Sequence, residues 1–155
     1  MNIIELFLAH AVQLERDAAR RYEDLAASMS TDGNRELKSF FERMAGFSRK
    51  HLAEASARAG FREMPALRPD EYEWPEGTAP ETAGWVGVDA LMSADEALEL
   101  ALESERRGHA YYATIAVTSQ DPEVRILAGQ FAEEEAAHVR ELEKWIGARS
   151  TGLRR

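Results

Sequence analysis

The chain carries one helical pattern twice, as AVQLERDAARRYEDLA at residues 11–26 and as ALESERRGHAYYATIA at residues 101–116. In both stretches apolar residues recur every three or four positions, which predicts an amphipathic helix with one buried face. The same residue types fall at the same places on that face: Glu15 matches Glu105, and Tyr22 matches Tyr112. Each half of the chain is therefore predicted to contain a helix with a glutamate on its apolar side.

A second pair of stretches follows, LKSFFERMAGFSRKHLAEA at residues 37–55 and VRILAGQFAEEEAAHVREL at residues 124–142. Their alignment matches His51 with His138 and Ser48 with Glu135. Only the second stretch therefore has a Glu-x-x-His pattern, which places both side chains on one face of a helix. A serine stands at the corresponding position of the first stretch.

The periodicity predicts four helices, at about residues 3–29, 34–59, 94–118 and 122–146. Ser-Thr-Asp-Gly at 30–33 is expected to end the first helix and cap the second, Ser93-Ala-Asp-Glu96 forms a capping box for the third, and Asp121 with Pro122 begins the fourth. The connections are short except for a segment rich in proline, glycine and tryptophan at about 61–92. So long a connection inside a compact domain indicates a crossover along the length of a bundle. We predict an all-α, antiparallel four-helix bundle, built from two helical hairpins joined by this crossover, with residues 1–155 as a single domain. Trp74 and Trp85 would pack the crossover against the bundle.

Composition limits the possible partners. The chain has 155 residues, 45% of them hydrophobic and 30% charged, and a net charge of −9. This charge disfavours nucleic acids and anionic membranes. The chain has no cysteine, which excludes disulfides and thiolate-bound iron. No apolar run approaches the length of a membrane span, and we expect a cytoplasmic protein.

Glutamates on apolar helix faces need a partner, because an unpaired buried carboxylate is costly. We predict that the glutamates on apolar helix faces and the histidines at matched positions of the two halves are metal ligands. These are Glu15, His51, Glu105, Glu135 and His138. Carboxylates with imidazoles suit iron or manganese, and zinc would also bind. A single inward histidine is more often a hydrogen-bonded core residue, and a run such as Glu133–Glu135 usually faces solvent. The repeat favours the metal interpretation and selects Glu135 from that run.

The pattern resembles the ferritin-like di-iron carboxylate superfamily, and within it the rubrerythrin-type proteins. The resemblance covers all four helices. It implies that Glu15 and Glu105 are terminal ligands, that Glu135 bridges two ions, and that His51 and His138 hold one ion each.

Tyr22 and Tyr112 would then donate hydrogen bonds to the terminal carboxylates, from just outside the ligand set. Ser48 lies beside the ligands, where the family has its second bridging glutamate. Gly108 stands where rubrerythrins carry an additional glutamate, and the cysteines of a rubredoxin domain are missing.

Two divalent ions carry four positive charges, and three carboxylates compensate only three of them. The resemblance is therefore compatible with either one or two bound ions. The ion between Glu105, Glu135 and His138 is expected to bind best. Glu54, one turn after His51, is a candidate substitute, but its match to Glu141 indicates a peripheral place for both.

Three functions remain open at this point. A di-iron centre would reduce peroxide or oxidise iron(II) with dioxygen, using a separate electron-donor protein. A site with one ion would serve storage or structure. A degenerate ferritin-like protein would act as an association scaffold. Bundles of this kind often dimerise, and we expect a homodimer.

Overall fold

The computed structural model describes residues 3–32, 34–59, 67, 68, 71, 74 and 93–150. These residues form four helices and, within the described ranges, no strand. The helices are α1 (Ile3–Asp32), α2 (Arg35–Ala59), α3 (Ala94–Thr118) and α4 (Pro122–Ser150). The prediction of an all-α bundle is confirmed.

Two helix ends differ from the prediction. Helix α1 continues to Asp32, past Ser30, which was expected to end it. The side chain of Asn34 accepts a hydrogen bond from the backbone N–H of Leu37 at 3.0 Å, so Asn34 caps α2 in place of residues 30–33. Helix α4 runs to Ser150 and so extends past the expected end at Ile146.

The starts of the second hairpin's helices follow the predicted signals. Ser93 accepts a hydrogen bond from the backbone of Glu96, and the side chain of Glu96 accepts one from the backbone of Ser93, which makes a capping box. Asp121 accepts hydrogen bonds from the backbone N–H groups of Glu123 and Val124. Pro122 therefore occupies the first helical position, where its missing N–H has no cost.

Helix α1 packs chiefly against α2, and α3 chiefly against α4, which gives the two predicted hairpins. The buried apolar residues form two clusters. One contains the end of α1, the starts of α2 and α3, and Leu142 of α4. The other contains the start of α1, Ala55 of α2, the end of α3 and the start of α4. The middle turns of all four helices lie between these clusters.

The same clusters give the direction of the connection between the hairpins. Ala55, near the end of α2, belongs to one cluster, whereas Ala94, at the start of α3, belongs to the other. The end of α2 and the start of α3 therefore lie at opposite ends of the bundle, whose length is about 37 Å judged from the 25 residues of α2. Most of the predicted crossover (61–92), including Trp85, lies outside the described residues. Trp74 does pack against the bundle, with its ring 4.8 Å from that of His10 and 5.3 Å from that of Tyr111.

None of the helices in the described ranges combines the length and the hydropathy needed to cross a membrane.

Candidate metal centre

The five predicted ligands lie together in the layer between the two apolar clusters. They come from all four helices, and each is buried: Glu15, His51, Glu105, Glu135 and His138. Their ligand atoms form two groups of three, in each of which all atoms lie within 4.8 Å of one another. One group is Glu15, His51 and Glu135; the other is Glu105, Glu135 and His138. Glu135 belongs to both groups.

The two histidine rings are oriented alike. Nδ1 of His51 lies 3.6 Å from Oε1 of Glu15 and 4.0 Å from Oε1 of Glu135. Nδ1 of His138 lies 3.3 Å from Oε1 of Glu105. The two rings stack with centroids 5.3 Å apart and planes inclined by 13°. In both histidines, Nδ1 is therefore the nitrogen that faces the carboxylates of the two ligand groups.

The two tyrosines connect the hairpins crosswise. The hydroxyl of Tyr112 on α3 donates a hydrogen bond to Oε2 of Glu15 on α1, at 3.2 Å. The hydroxyl of Tyr22 on α1 donates to Oε2 of Glu105 on α3. Each tyrosine thus orients the glutamate of the opposite hairpin and leaves the other carboxylate oxygen directed towards a histidine.

The charges in this layer are poorly balanced without a cation. Burial raises the pKa of Glu15, although His51 partly opposes the shift. Burial also acts to raise the pKa of Glu105, but its hydrogen bonds with His138, Glu135 and Tyr22 and the charge of His138 hold it below its usual value. Burial lowers the pKa of His51, but Glu134 and Glu15 outweigh it and raise that pKa to about 10. The raised pKa of His51 thus shows that the surrounding carboxylates favour positive charge in this layer, as the ligands of a metal ion would.

Sequence reasoning missed two residues at the edge of this centre. Glu134, assigned to a solvent-facing run, places Oε2 at 2.9 Å from Nε2 of His51. Phe47 stacks on the ring of His138 with centroids 5.7 Å apart and remains 42% exposed. The repeat alignment does pair these two positions, but a carboxylate and a phenyl ring give no common signal, so only helix packing reveals their roles.

The remaining candidates lie as follows. Ser48 is buried in the same layer. Glu54 and Glu141 are half-buried, and neither belongs to the two ligand groups found among the described residues.

The donor set suits a divalent first-row ion. Atoms bound to one such ion at about 2.0–2.2 Å lie at most about 4.4 Å apart, so groups spanning 4.8 Å need only small side-chain rotations. Oε1 of Glu15 is also buried without a hydrogen-bond partner among the described residues, which a cation would correct. Two groups with a shared carboxylate fit two adjacent ions.

Comparisons with known proteins give the family. The Rubrerythrin family model matches residues 7–76. An uncharacterized conserved protein from Magnetospirillum magnetotacticum MS-1, known from a crystal structure, is 40% identical over 95% of each chain, with a TM-score of 0.77. No curated protein matches the chain significantly. This protein belongs to the rubrerythrin family of the ferritin-like superfamily. It is a ferritin-like four-helix protein with a buried Glu/His cluster that could bind metal.

Proposed function

We propose that this protein binds two iron ions in the Glu/His centre and uses them in peroxide or dioxygen chemistry, with electrons from a separate donor protein. The observation that carries the proposal is the pair of ligand groups sharing Glu135. A single structural site would need only one such group. Manganese or zinc could occupy the same donors, since oxygen and imidazole ligands accept all three metals.

Each ligand then has a role that follows from its position. Glu15 and His51 would hold one ion, Glu105 and His138 would hold the other, and Glu135 would contribute to both groups. Tyr22 and Tyr112 keep one oxygen of each terminal carboxylate engaged, so that the second oxygen points at the ion. When bound, two adjacent irons supply two electrons for cleavage of an O–O bond.

The surroundings of the centre favour a small substrate. The apolar clusters close the layer above and below. Towards solvent, Phe47 and Glu134 line the edge beside the two histidines, and the Glu134 side chain is 32% exposed. Peroxide or dioxygen could approach at this edge, whereas the burial of the ligands disfavours direct reaction with a large organic substrate.

One observation supports a second candidate, a protein that stores or is stabilised by a single ion. Ser48 removes one bridging carboxylate, so the group of Glu105, Glu135 and His138 would bind more strongly than the other. An association scaffold without metal has no comparable support, because nothing in a scaffold would favour three buried carboxylates. We also propose that residues 1–155 form one domain and that the protein acts as a cytoplasmic homodimer.

Metal analysis tests the proposal directly. Protein purified without chelator, and apoprotein titrated anaerobically with iron(II), should hold two ions per chain. Glu135→Ala should abolish binding of both ions. Glu133→Ala, at the neighbouring exposed position, is the matched control and should bind as the parent does. One ion per chain would favour the storage or structural alternative, and none in either assay would refute a metal function.

Enzymatic turnover needs a separate measurement. The iron-loaded protein should consume hydrogen peroxide when an electron donor is supplied, and the rate should fall to background in Glu135→Ala. Two bound irons without peroxide consumption or dioxygen-driven iron(II) oxidation would leave a binding protein.

A further inference from the structure

We call the two ligand groups half-sites. The half-site of Glu15, His51 and Glu135, in which Ser48 replaces a glutamate, contains an additional carboxylate. Oε2 of Glu134 lies 2.9 Å from Nε2 of His51, on the side of the imidazole ring opposite to Glu15 and Glu135. Because Nδ1 faces those two carboxylates, Nε2 must carry the proton whenever Nδ1 binds a metal ion. The contact between Glu134 and His51 has ion-pair distance but not hydrogen-bond alignment, since Oε2 of Glu134 is buried without a hydrogen-bond partner among the described residues. A small rotation of either side chain would let Glu134 accept a hydrogen bond from Nε2–H while Nδ1 binds.

Such an arrangement has a known physical effect. A carboxylate on the second nitrogen fixes the tautomer and the orientation of a metal-binding imidazole, and it increases the basicity of the ligand nitrogen. It also brings a negative charge close to the ion without occupying a coordination position. This charge is what the half-site lacks, since Ser48 leaves three carboxylates opposite two divalent ions.

The other half-site has no such carboxylate among the described residues. At the repeat-matched position, Phe47 stacks on His138. In that half-site, Glu135 and His138 lie on one helix with the Glu-x-x-His spacing. The half-site therefore keeps the glutamate that Ser48 replaces in the other helix. The additional carboxylate, Glu134, thus lies beside His51, which is on the same helix as Ser48.

We propose that Glu134 is a positioning residue for the metal ion held by Glu15, His51 and Glu135, and that its charge compensates for Ser48. The inference rests on the proposed metal-binding function. It predicts that the protein keeps a second metal position, which depends on a residue outside the ligand set.

A zinc titration of the apoprotein, competed against a fluorescent chelator, tests the inference without any turnover. Glu134→Gln retains an amide oxygen that can accept the hydrogen bond but removes the charge. It should weaken one of two zinc positions by about 10- to 100-fold, the range typical of lost hydrogen-bond partners of metal ligands. The other position should change less than about twofold. Glu133→Gln removes the same charge from an exposed neighbouring position and should bind zinc as the parent does.

Nitrogen-15 NMR of the histidine rings identifies the affected position. In the zinc-loaded parent, His51 should bind through Nδ1 and carry a proton on Nε2. In Glu134→Gln, the change of the His51 signal on zinc binding should require a higher zinc concentration than in the parent. The double variant Ser48→Glu/Glu134→Gln should recover most of the lost affinity, because the new carboxylate replaces the missing charge. Circular dichroism verifies that each variant remains folded.

The outcomes separate the inference from the proposed function. If the parent binds two zinc ions and Glu134→Gln matches Glu133→Gln, Glu134 has no role and metal binding stands. Equal weakening of both positions, or ligation of His51 through Nε2, would also overturn the inference. If the parent binds no zinc, iron(II) or manganese(II), the proposed function fails, and the inference fails with it.

Discussion

The two helical hairpins agree in their first helices and differ in their second. On α1 and α3, Glu15 and Glu105 are both buried and each accepts a hydrogen bond from the tyrosine of the other hairpin. On α2 and α4, Ser48 is matched with Glu135, and Phe47 with Glu134. The half of the site that carries terminal ligands is thus symmetric, and the half that would bridge the ions is not.

This difference shows how an internal repeat can diverge without losing its site. Helix α2 has Ser48 and Phe47 where α4 has carboxylates. The α4 carboxylates serve both halves of the site, because Glu135 lies in both ligand groups and Glu134 lies beside His51. One helix can serve both half-sites because α2 and α4 bring their histidines into ring contact. The two metal positions should consequently be unequal.

The largest expected effect comes from removing the shared ligand. Glu135→Ala should abolish the rise in melting temperature that iron(II) or manganese(II) gives the parent. A ligand that binds only the folded state adds about 2.7 kcal/mol of stability at a concentration of one hundred times its dissociation constant. Thermal melts with and without each metal measure this, with EDTA as reference. A parent melting point that no divalent ion changes would contradict the prediction.

Restoring the missing ligand should make the halves more alike. Ser48→Glu adds a buried carboxylate at the position matched to Glu135, so it should strengthen the weaker metal position on the order of tenfold, equivalent to about 1.4 kcal/mol. The same change should destabilise the metal-free protein, because the added carboxylate is buried without a counter-ion. The variant should also oxidise iron(II) with dioxygen faster than the parent.

Chelator competition and stopped-flow absorbance measure these two properties of Ser48→Glu. If the unmodified protein already holds two irons with equal affinity and consumes peroxide rapidly, the serine is not a deficiency. The asymmetry between the hairpins would then have no functional consequence.

Removing the hydroxyl of Tyr22 or of Tyr112 tests whether the two tyrosine–glutamate hydrogen bonds on α1 and α3 contribute equally to stability. The pKa of Glu105 is lowered and that of Glu15 is raised, so Tyr22 donates to the more readily charged carboxylate. Hydrogen bonds to charged groups contribute about 1.5–3 kcal/mol and neutral ones about 0.5–1.5 kcal/mol. In the metal-free protein at neutral pH, Tyr22→Phe should therefore cost more stability than Tyr112→Phe.

Urea unfolding in EDTA compares these two variants directly, and both remove the same atom from a fully buried ring. Equal losses, or a larger loss for Tyr112→Phe, would mean that the two carboxylates differ less in charge than their surroundings indicate.

The smallest effect is expected from copying Glu134 onto the other hairpin. Phe47→Glu places a carboxylate at the position matched to Glu134, beside His138, and should tighten that metal position by a few-fold, up to about tenfold. Phe47 is 42% exposed, so little packing is lost. Phe47→Gln is the uncharged control. Equal affinities of these two variants in the zinc titration would show that charge at this edge does not matter.

Local sequence signals are sufficient to predict the fold and the five candidate ligands. Helical periodicity, the Ser93/Glu96 and Asp121/Pro122 caps and one long connection suffice for a four-helix bundle, because these signals act within a few residues of each other. The repeat added the register, which selected Glu135 from three consecutive glutamates. The predicted end of α1 is too early, because serine and threonine are tolerated inside a helix and Asn34 provides the N-terminal cap of α2.

The pairing of residues across helices depends on tertiary packing. That Tyr22 reaches Glu105 and not Glu15, that Glu134 reaches His51, and that Phe47 covers His138 all depend on how the hairpins cross. No local pattern encodes these contacts, because a helix presents Glu134 and Glu135 about 100° apart and either could face a neighbour. The sequence is sufficient to identify the candidate ligands, and helix packing makes the two halves of the candidate site unequal.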